Sequence, residues 1–435
     1  MQNYGVLYIL DSFLRKGRHY LYTEAMHEYE DITSMDNRAV ELLTLLRLQG
    51  AQTRASIAES TGWARPTVNK HLERLVDVGL AVPSHIANPT GGRPAQGFEF
   101  NPNAACILSL DIATAHTTLA LCNLAGDVLS SQKIPYGAEQ DPNTVLTTQC
   151  QTADTLLADT GHGTLCAVSI AVTTRVEEPT GQIIEAPVMR RWEHRDLPGF
   201  FKSRYYVPAF IENDANIRAL YKARRLAGPK ERQITDLIYI HAGMGLGAGI
   251  ISCGTVLHGA RGGAGDIGHI HVFGEAGKNN PCRCGNTGCV EASAGGWAII
   301  QNLKDSERDV DTLIDVISLV RQRDVEAIRQ IRQAGRLIGD VVSAAINLLN
   351  PSHVVIGGEL SQCGELFMSG IRERIWGRTQ PLATKNLHID ACPDDSHAGV
   401  VGLAYAAADK VLQDTSFVNG AFLGSVLDAA GTAQD

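Results

Sequence analysis

Residues 266–291 read Asp-Ile-Gly-His-Ile-His-Val-Phe-Gly-Glu-Ala-Gly-Lys-Asn-Asn-Pro-Cys-Arg-Cys-Gly-Asn-Thr-Gly-Cys-Val-Glu. Three thiols, Cys282, Cys284 and Cys289, fall within this short run, and Gly285 and Gly288 permit the sharp turn that points three sulfurs at one place. With a histidine upstream they make a Cys3His set, the ligand number and softness of a closed tetrahedral zinc site. Clustered thiols beside a histidine rarely serve packing alone. His269 and His271 both qualify as the fourth ligand, because in an extended segment they share a face.

The same stretch carries a resemblance. Gly265-Asp-Ile-Gly-His269 followed by C-x-C-G-x-x-G-C-x-E, from Cys282 to Glu291, is similar to the signature of the ROK family, which groups repressors and sugar kinases on one actin-like fold. The resemblance implies one structural Zn2+ per chain held by His269, Cys282, Cys284 and Cys289, and effector contacts at Asp266, His269 and Glu291. Two departures stand out. The loop from His269 to Cys282 is longer than usual, and Asp266 stands where the family generally has glutamate.

Working outward, 435 residues with 44% hydrophobic content and a net charge of −9 suit two or three domains, since single cores stop growing near roughly 250–300 residues. No run of about 18 apolar residues and no signal pattern at the N-terminus points to membrane or secretion, so a cytoplasmic protein is expected. Ten cysteines, three clustered and the rest scattered through apolar segments, fit a reducing compartment better than a disulfide framework. The acidic total does not exclude nucleic acid, because only the local field acts within a Debye length of about 8–10 Å.

Residues 1–35 read as an N-terminal extension without clear periodicity. From Asp36 the pattern sharpens: Val40, Leu43 and Leu46 recur at helical spacing before Gly50, and Thr53 is a candidate N-cap for the next helix. Thr61-Gly62-Trp63 makes a turn into a third helix with Pro66 in its first turn. Val68, Leu72, Leu75 and Val76 should face inward, leaving Arg65, Thr67, Asn69, Lys70 and Arg74 outward. This is a helix-turn-helix with its recognition helix. Arg65 and Asn69 match guanine and adenine edges, whereas Thr67, Lys70 and Arg74 suit phosphates equally well. The glycine-rich run around Arg93 reads as the tip of a β-wing. ROK repressors carry such a domain ahead of the actin-like body, and the kinases mostly lack it.

From Cys106 an α/β body begins. Kinases of this fold use D-x-G-G-T in the opening hairpin, where the glycines let backbone N–H groups approach phosphate; here Ala113 and Thr114 follow Asp111-Ile112. The second glycine-rich hairpin, Gly243 to Gly249, has Met244 in place of threonine. In the family's sugar-facing hairpin Thr173-Thr174 and Val188 replace the usual P-G and asparagine, and a valine cannot hydrogen-bond a sugar hydroxyl. Asn213-Asp214 matches the family's N-D-x-N element, implying effector contacts there; Asp214 would be the general base of a kinase. An N-cap role is the structural alternative.

The expected fold class is α/β, an N-terminal winged helix-turn-helix plus a two-lobe actin-like body of the ribonuclease H-like, sugar kinase/Hsp70 type. Its expected limits are 36–100 for the winged helix, 101–230 for the first lobe completed by a helix at about 397–413, 231–396 for the second lobe, and 414–435 for a loose tail. The expected function is a ROK-type transcriptional regulator, a repressor. It would bind double-stranded operator DNA as a homodimer or homotetramer under control of a small-molecule effector, with no membrane partner and no enzymatic activity. The alternatives are an ATP-dependent sugar kinase with a fused DNA-binding domain, and an interaction scaffold with a vestigial cleft.

Overall fold

The computed structural model describes residues 37–86, 95–159, 164–184, 189–227, 234–272, 277, 279–392 and 396–418. The extension, the wing tip with Arg93, and Val188 lie outside the described residues. Of those described, 37–100 with 412–418 form one compact unit and 101–411 form another.

In the smaller unit three helices follow one another: α1 (Arg38–Gln49), α2 (Arg54–Thr61) and α3 (Arg65–Asp77). Gly50 ends α1 at φ 71°, and the Thr53 hydroxyl caps α2 by accepting from the Ser56 N–H at 3.1 Å. The buried stripe of α1 is Ala39, Leu42, Leu43 and Leu46, and that of α3 is Val68, His71, Leu72 and Leu75. Both follow the i, i+3, i+4, i+7 spacing of one helix face. Val40 and Val76, expected inside, are half-buried because they fall one position off that face; Ala39 and His71 take their places. Strand β1 (Gln52–Thr53) pairs with β3 (Ala95–Phe100), which pairs antiparallel with β2 (Ala81–Ile86), with Ala81 opposite Phe100.

The end of the chain returns to this unit. A last helical turn, Thr415–Val418, packs on α1 with Phe417 and Val418 buried. The segment beyond Thr415 was expected to be loose; Phe417 and Val418 give this part of it an apolar face that α1 covers.

The larger unit repeats one sheet topology. Strands β4 (Ala105–Ile112), β5 (Thr117–Asn123) and β6 (Val128–Ile134) form an antiparallel meander, to which β7 (Thr164–Val172) and β10 (Ala209–Asn213) add in parallel, giving the order β10-β7-β4-β5-β6. In the second lobe β11 (Leu237–Ala242), β12 (Leu246–Ser252) and β13 (Thr255–Val256) are the antiparallel part, and β14 (His353–Gly357) and β15 (His388–Cys392) the parallel part. Every residue of β4 is buried, as a central strand covered on both faces requires. A small hairpin, β8 (Val176–Glu177) with β9 (Gln182–Ile183), projects from the first lobe.

Helix α4 (Asp214–Arg225) stands between the sheets, against β11 and β12 of the second lobe and against α5 (Ala398–Val411), which lies on β4, β5 and β7. The approach is close enough to exclude side chains. A Cβ on Gly399 would sit 2.0 Å from Asp111 Oδ2, and one on Gly402 would sit 2.4 Å from the Ile217 carbonyl. Among the described residues no helix is long and apolar enough to cross a membrane.

Candidate metal centre and interlobe cleft

The peptide around the three cysteines folds back on the segment that carries the histidine. Val272 N–H donates to the Gly288 carbonyl at 2.8 Å, and Val290 N–H to the Ile270 carbonyl at 2.9 Å. Gly285 and Gly288 adopt φ of 93° and 77°, the left-handed region that favours glycine, at the turn between Cys284 and Cys289. One donor atom from each of His269, Cys282, Cys284 and Cys289 consequently lies within 4.8 Å of the others. Cys282 Sγ is 3.5 Å from His269 Nδ1, and Cys284 Sγ is 3.8 Å from Cys289 Sγ. His271 is turned elsewhere: its Nδ1 lies 2.8 Å from the Val272 carbonyl. The group therefore draws on His269, and its one imidazole and three thiols fit a thiophilic cation.

Burial pushes the Cys282 and Cys289 thiols above the ordinary range. At Cys284 burial acts the same way but is outweighed by hydrogen bonds from the Asn286 N–H and the neighbouring thiols, so its pKa falls. A bound dication would favour the thiolate form of all three.

His269 turns its other nitrogen toward Asp266, with Nε2 3.8 Å from Oδ1. Asp266 is in turn ion-paired with Arg175, which arrives from the first lobe at the start of the β8–β9 hairpin. Next to Arg175, the Thr174 carbonyl accepts a hydrogen bond from Asn213 Nδ2 at 3.0 Å. Asn213, Asp266 and His269 are thus joined through Thr174-Arg175, a connection that the sequence reading missed. Asn213 also caps α4, its Oδ1 accepting from the Ala215 and Asn216 N–H groups. The N-cap role raised as the structural alternative at this element is thus taken by Asn213.

Glu291 is committed locally. Its Oε2 accepts from the Leu246 N–H at 2.9 Å and its Oε1 from Trp297 Nε1 at 3.3 Å. A Cβ on Gly268, beside His269, would sit 3.3 Å from Glu291 Oε2. Glu291 therefore ties the second glycine-rich hairpin to the segment that follows Cys289, and its carboxylate packs close against Gly268 beside His269.

Asp214 lies deeper, only 7% exposed. Burial raises its pKa, against the opposing pull of Arg218 and His241. Arg218, one turn further along α4, reaches Asp214 at 3.6 Å and Asp111 at 2.9 Å. Nothing in the spacing of the sequence had marked Arg218. Asp111 Oδ1 and His241 Nδ1 are buried without a hydrogen-bond partner in the same region.

In the smaller unit Arg65, Lys70 and Arg74 are exposed on α3, with Thr67 and Asn69 partly so. All five lie off the buried stripe, and the helix begins with Pro66 in its first turn.

Two lobes of repeated sheet order, with a helix between them and a Cys/His corner on the second, define an actin-like body of the kind shared by ROK regulators and sugar kinases. The chain belongs to the ROK family, whose model matches residues 107–410. A putative xylose repressor from Caldicellulosiruptor sp. (strain Rt8B.4) is 25% identical over 382 residues, covering 84% of this chain and 94% of the relative. A glucokinase from Halalkalibacterium halodurans is 30% identical over 314 residues, covering 68% and 92% respectively. Among solved structures, a ROK family transcriptional regulator described as a homolog of the E. coli MLC protein superposes with a TM-score of 0.72. It is 24% identical and covers 90% of this chain and 98% of its own.

Proposed function

We propose that this protein is a DNA-binding transcriptional regulator, a repressor, whose α3 reads an operator and whose two-lobe body binds a small effector in the interlobe cleft. The observation that carries this reading is the three-helix, three-stranded unit ahead of the body. The likeness to the putative xylose repressor spans 84% of the chain, against 68% for the glucokinase, and a kinase has no use for a winged helix. Arg65 and Asn69 are assigned to base edges, and Thr67, Lys70, Arg74 and Arg93 to phosphate or groove contacts. Paired half-sites require at least a homodimer.

Three features weigh against phosphoryl transfer. Ala113 and Thr114 occupy the first phosphate turn, where the Ala113 N–H already donates to the His116 carbonyl at 2.9 Å. In the second turn, with Met244, the Gly243 and Met244 carbonyls take the N–H groups of Gly296 and Trp297, the first of the following helix. That helix end is therefore engaged with protein rather than open to an anion. Arg218 ties Asp214, which would be the catalytic base, to Asp111.

The metal at His269, Cys282, Cys284 and Cys289 is assigned as zinc, one per chain, with a structural role. All four donors are protein side chains, the closed arrangement typical of such sites. When bound it supplies a rigid corner that orients His269 Nε2 toward Asp266. Asn213, Asp214, Asp266, His269 and Glu291 are assigned to the effector site, with Glu291 acting through the backbone it holds.

The test is fluorescence anisotropy on labelled DNA from upstream of the protein's own gene, with and without xylose, the first probe suggested by the relative's name. Specific binding that weakens on Arg65→Ala and shifts with xylose supports the whole reading. Specific binding indifferent to xylose redirects the effector search alone. ADP release from ATP with glucose would instead favour the kinase.

A further inference from the structure

A second set of metal-type ligands lies away from the Cys/His corner. We propose that Glu178, Glu212 and His258 form a divalent-cation site bridging the two lobes, suited to a cation that prefers carboxylate and imidazole to thiolate, such as Mn2+. Glu212 lies on β10 and Glu178 directly follows β8, both in the first lobe, whereas His258 follows β13 in the second. One donor atom from each lies within 4.8 Å of the other two. Donors about 2.0–2.2 Å from a common ion stand about 3–4.3 Å apart, so small side-chain movements complete the site.

The carboxylate at the centre of the group is held in place. Glu212 Oε1 accepts from the Asn213 N–H at 2.8 Å and from Asn216 Nδ2 at 3.0 Å, which leaves Oε2 facing His258 Nε2 at 2.6 Å. Hydrogen bonds of this kind orient the ligands of metal sites. Glu212 is largely buried and His258 about two-thirds so, with side-chain exposures of 17% and 31%.

Glu178 supplies the argument for an ion rather than a simple Glu–His pair. Its carboxylate makes no hydrogen bond or ion pair among the described residues, yet it faces the other two from within 4.8 Å. A protonated His258 satisfies one carboxylate and leaves the other short of a partner. A dication satisfies both, displacing the proton shared between His258 and Glu212. The framework around the group is tight: a Cβ on Gly262 would fall 2.1 Å from the Val176 carbonyl, which keeps the loop after His258 against the β8–β9 hairpin. Arg261 on that loop also pairs with Glu177. An ion here would join the lobes directly.

The test uses the full-length chain loaded with zinc, dialysed, and titrated with Mn2+ alone, following free Mn2+ by electron paramagnetic resonance and bound zinc by elemental analysis. Mn2+ is chosen because the thiolate-rich corner favours zinc. One Mn2+ per chain is expected in the wild type. Loss of that ion is expected in Glu178→Gln, which leaves the Glu212–His258 pair and its fold intact, and in His258→Gln, with bound zinc unchanged in both. Absence of Mn2+ binding in the wild type overturns the proposal, as does Glu178→Gln binding like wild type. Neither outcome depends on whether the protein binds DNA.

Discussion

Arg218 is the residue on which the interior of the cleft turns. It places one guanidinium between two buried carboxylates, Asp111 and Asp214, and removing one member of a buried charge cluster costs far more than the cluster contributes. Arg218→Met should lower unfolding stability by about 3–5 kcal/mol, and Asp214→Asn in the same background should restore part of it. Denaturant unfolding of the single and double variants measures both. Equal stability of Arg218→Met and wild type would remove the buried cluster from the account. Arg175 acts at the same scale: it joins the lobes by pairing with Asp266. If effector binding replaces that contact, Arg175→Ala should alter effector affinity, read by isothermal titration, while zinc content stays the same.

At the scale of elements, two segments carry more than their length suggests. The cysteine loop is expected to depend on its metal, since structural zinc contributes about 10–16 kcal/mol of apparent binding energy in small peptides. Chelation should therefore release amide protection across residues 266–291 in hydrogen exchange, while α1–α3 stay protected. Uniform loss across both units would contradict a local role. The last helical turn, Thr415–Val418, completes the winged-helix core through Phe417, only 3% exposed. Phe417→Ala should cost about 3–5 kcal/mol and appear as faster exchange in α1, with the sheets of the body unchanged. Because α5 leads within a few residues into this turn, the chain passes between the two units twice, after Phe100 and after Val411.

For the whole molecule, what was legible in the sequence depended on how local the physics is. The helix-turn-helix, the Thr53 cap and the Cys3His group rest on residues a few positions apart, where periodicity, capping and ligand spacing are written directly. The choice of His269 over His271 was already less legible, because His269 closes a 3-10 turn, Ile267–His269, and does not share an extended segment with His271. Arg175–Asp266 and Arg218–Asp111 span 91 and 107 positions; the first exists only once the two lobes have closed on each other, and the second only once distant segments of the first lobe have packed together. Phe417 was missed for the same reason: its partner is α1, at the opposite end of the chain.

Regulation is a property of this largest scale. Effector and operator can influence each other only through a coupling free energy, and it must be reciprocal. The central claim, that the chain is a sequence-specific DNA-binding regulator, is tested most directly by anisotropy of the zinc-loaded full-length protein on its own upstream DNA and on scrambled DNA across a salt series. Tight binding to the upstream fragment is predicted, weakening linearly in log salt, with Arg65→Ala costing about 1–3 kcal/mol and narrowing the gap to scrambled DNA. Equal affinity for both DNAs, or binding that Arg65→Ala leaves untouched, would contradict it.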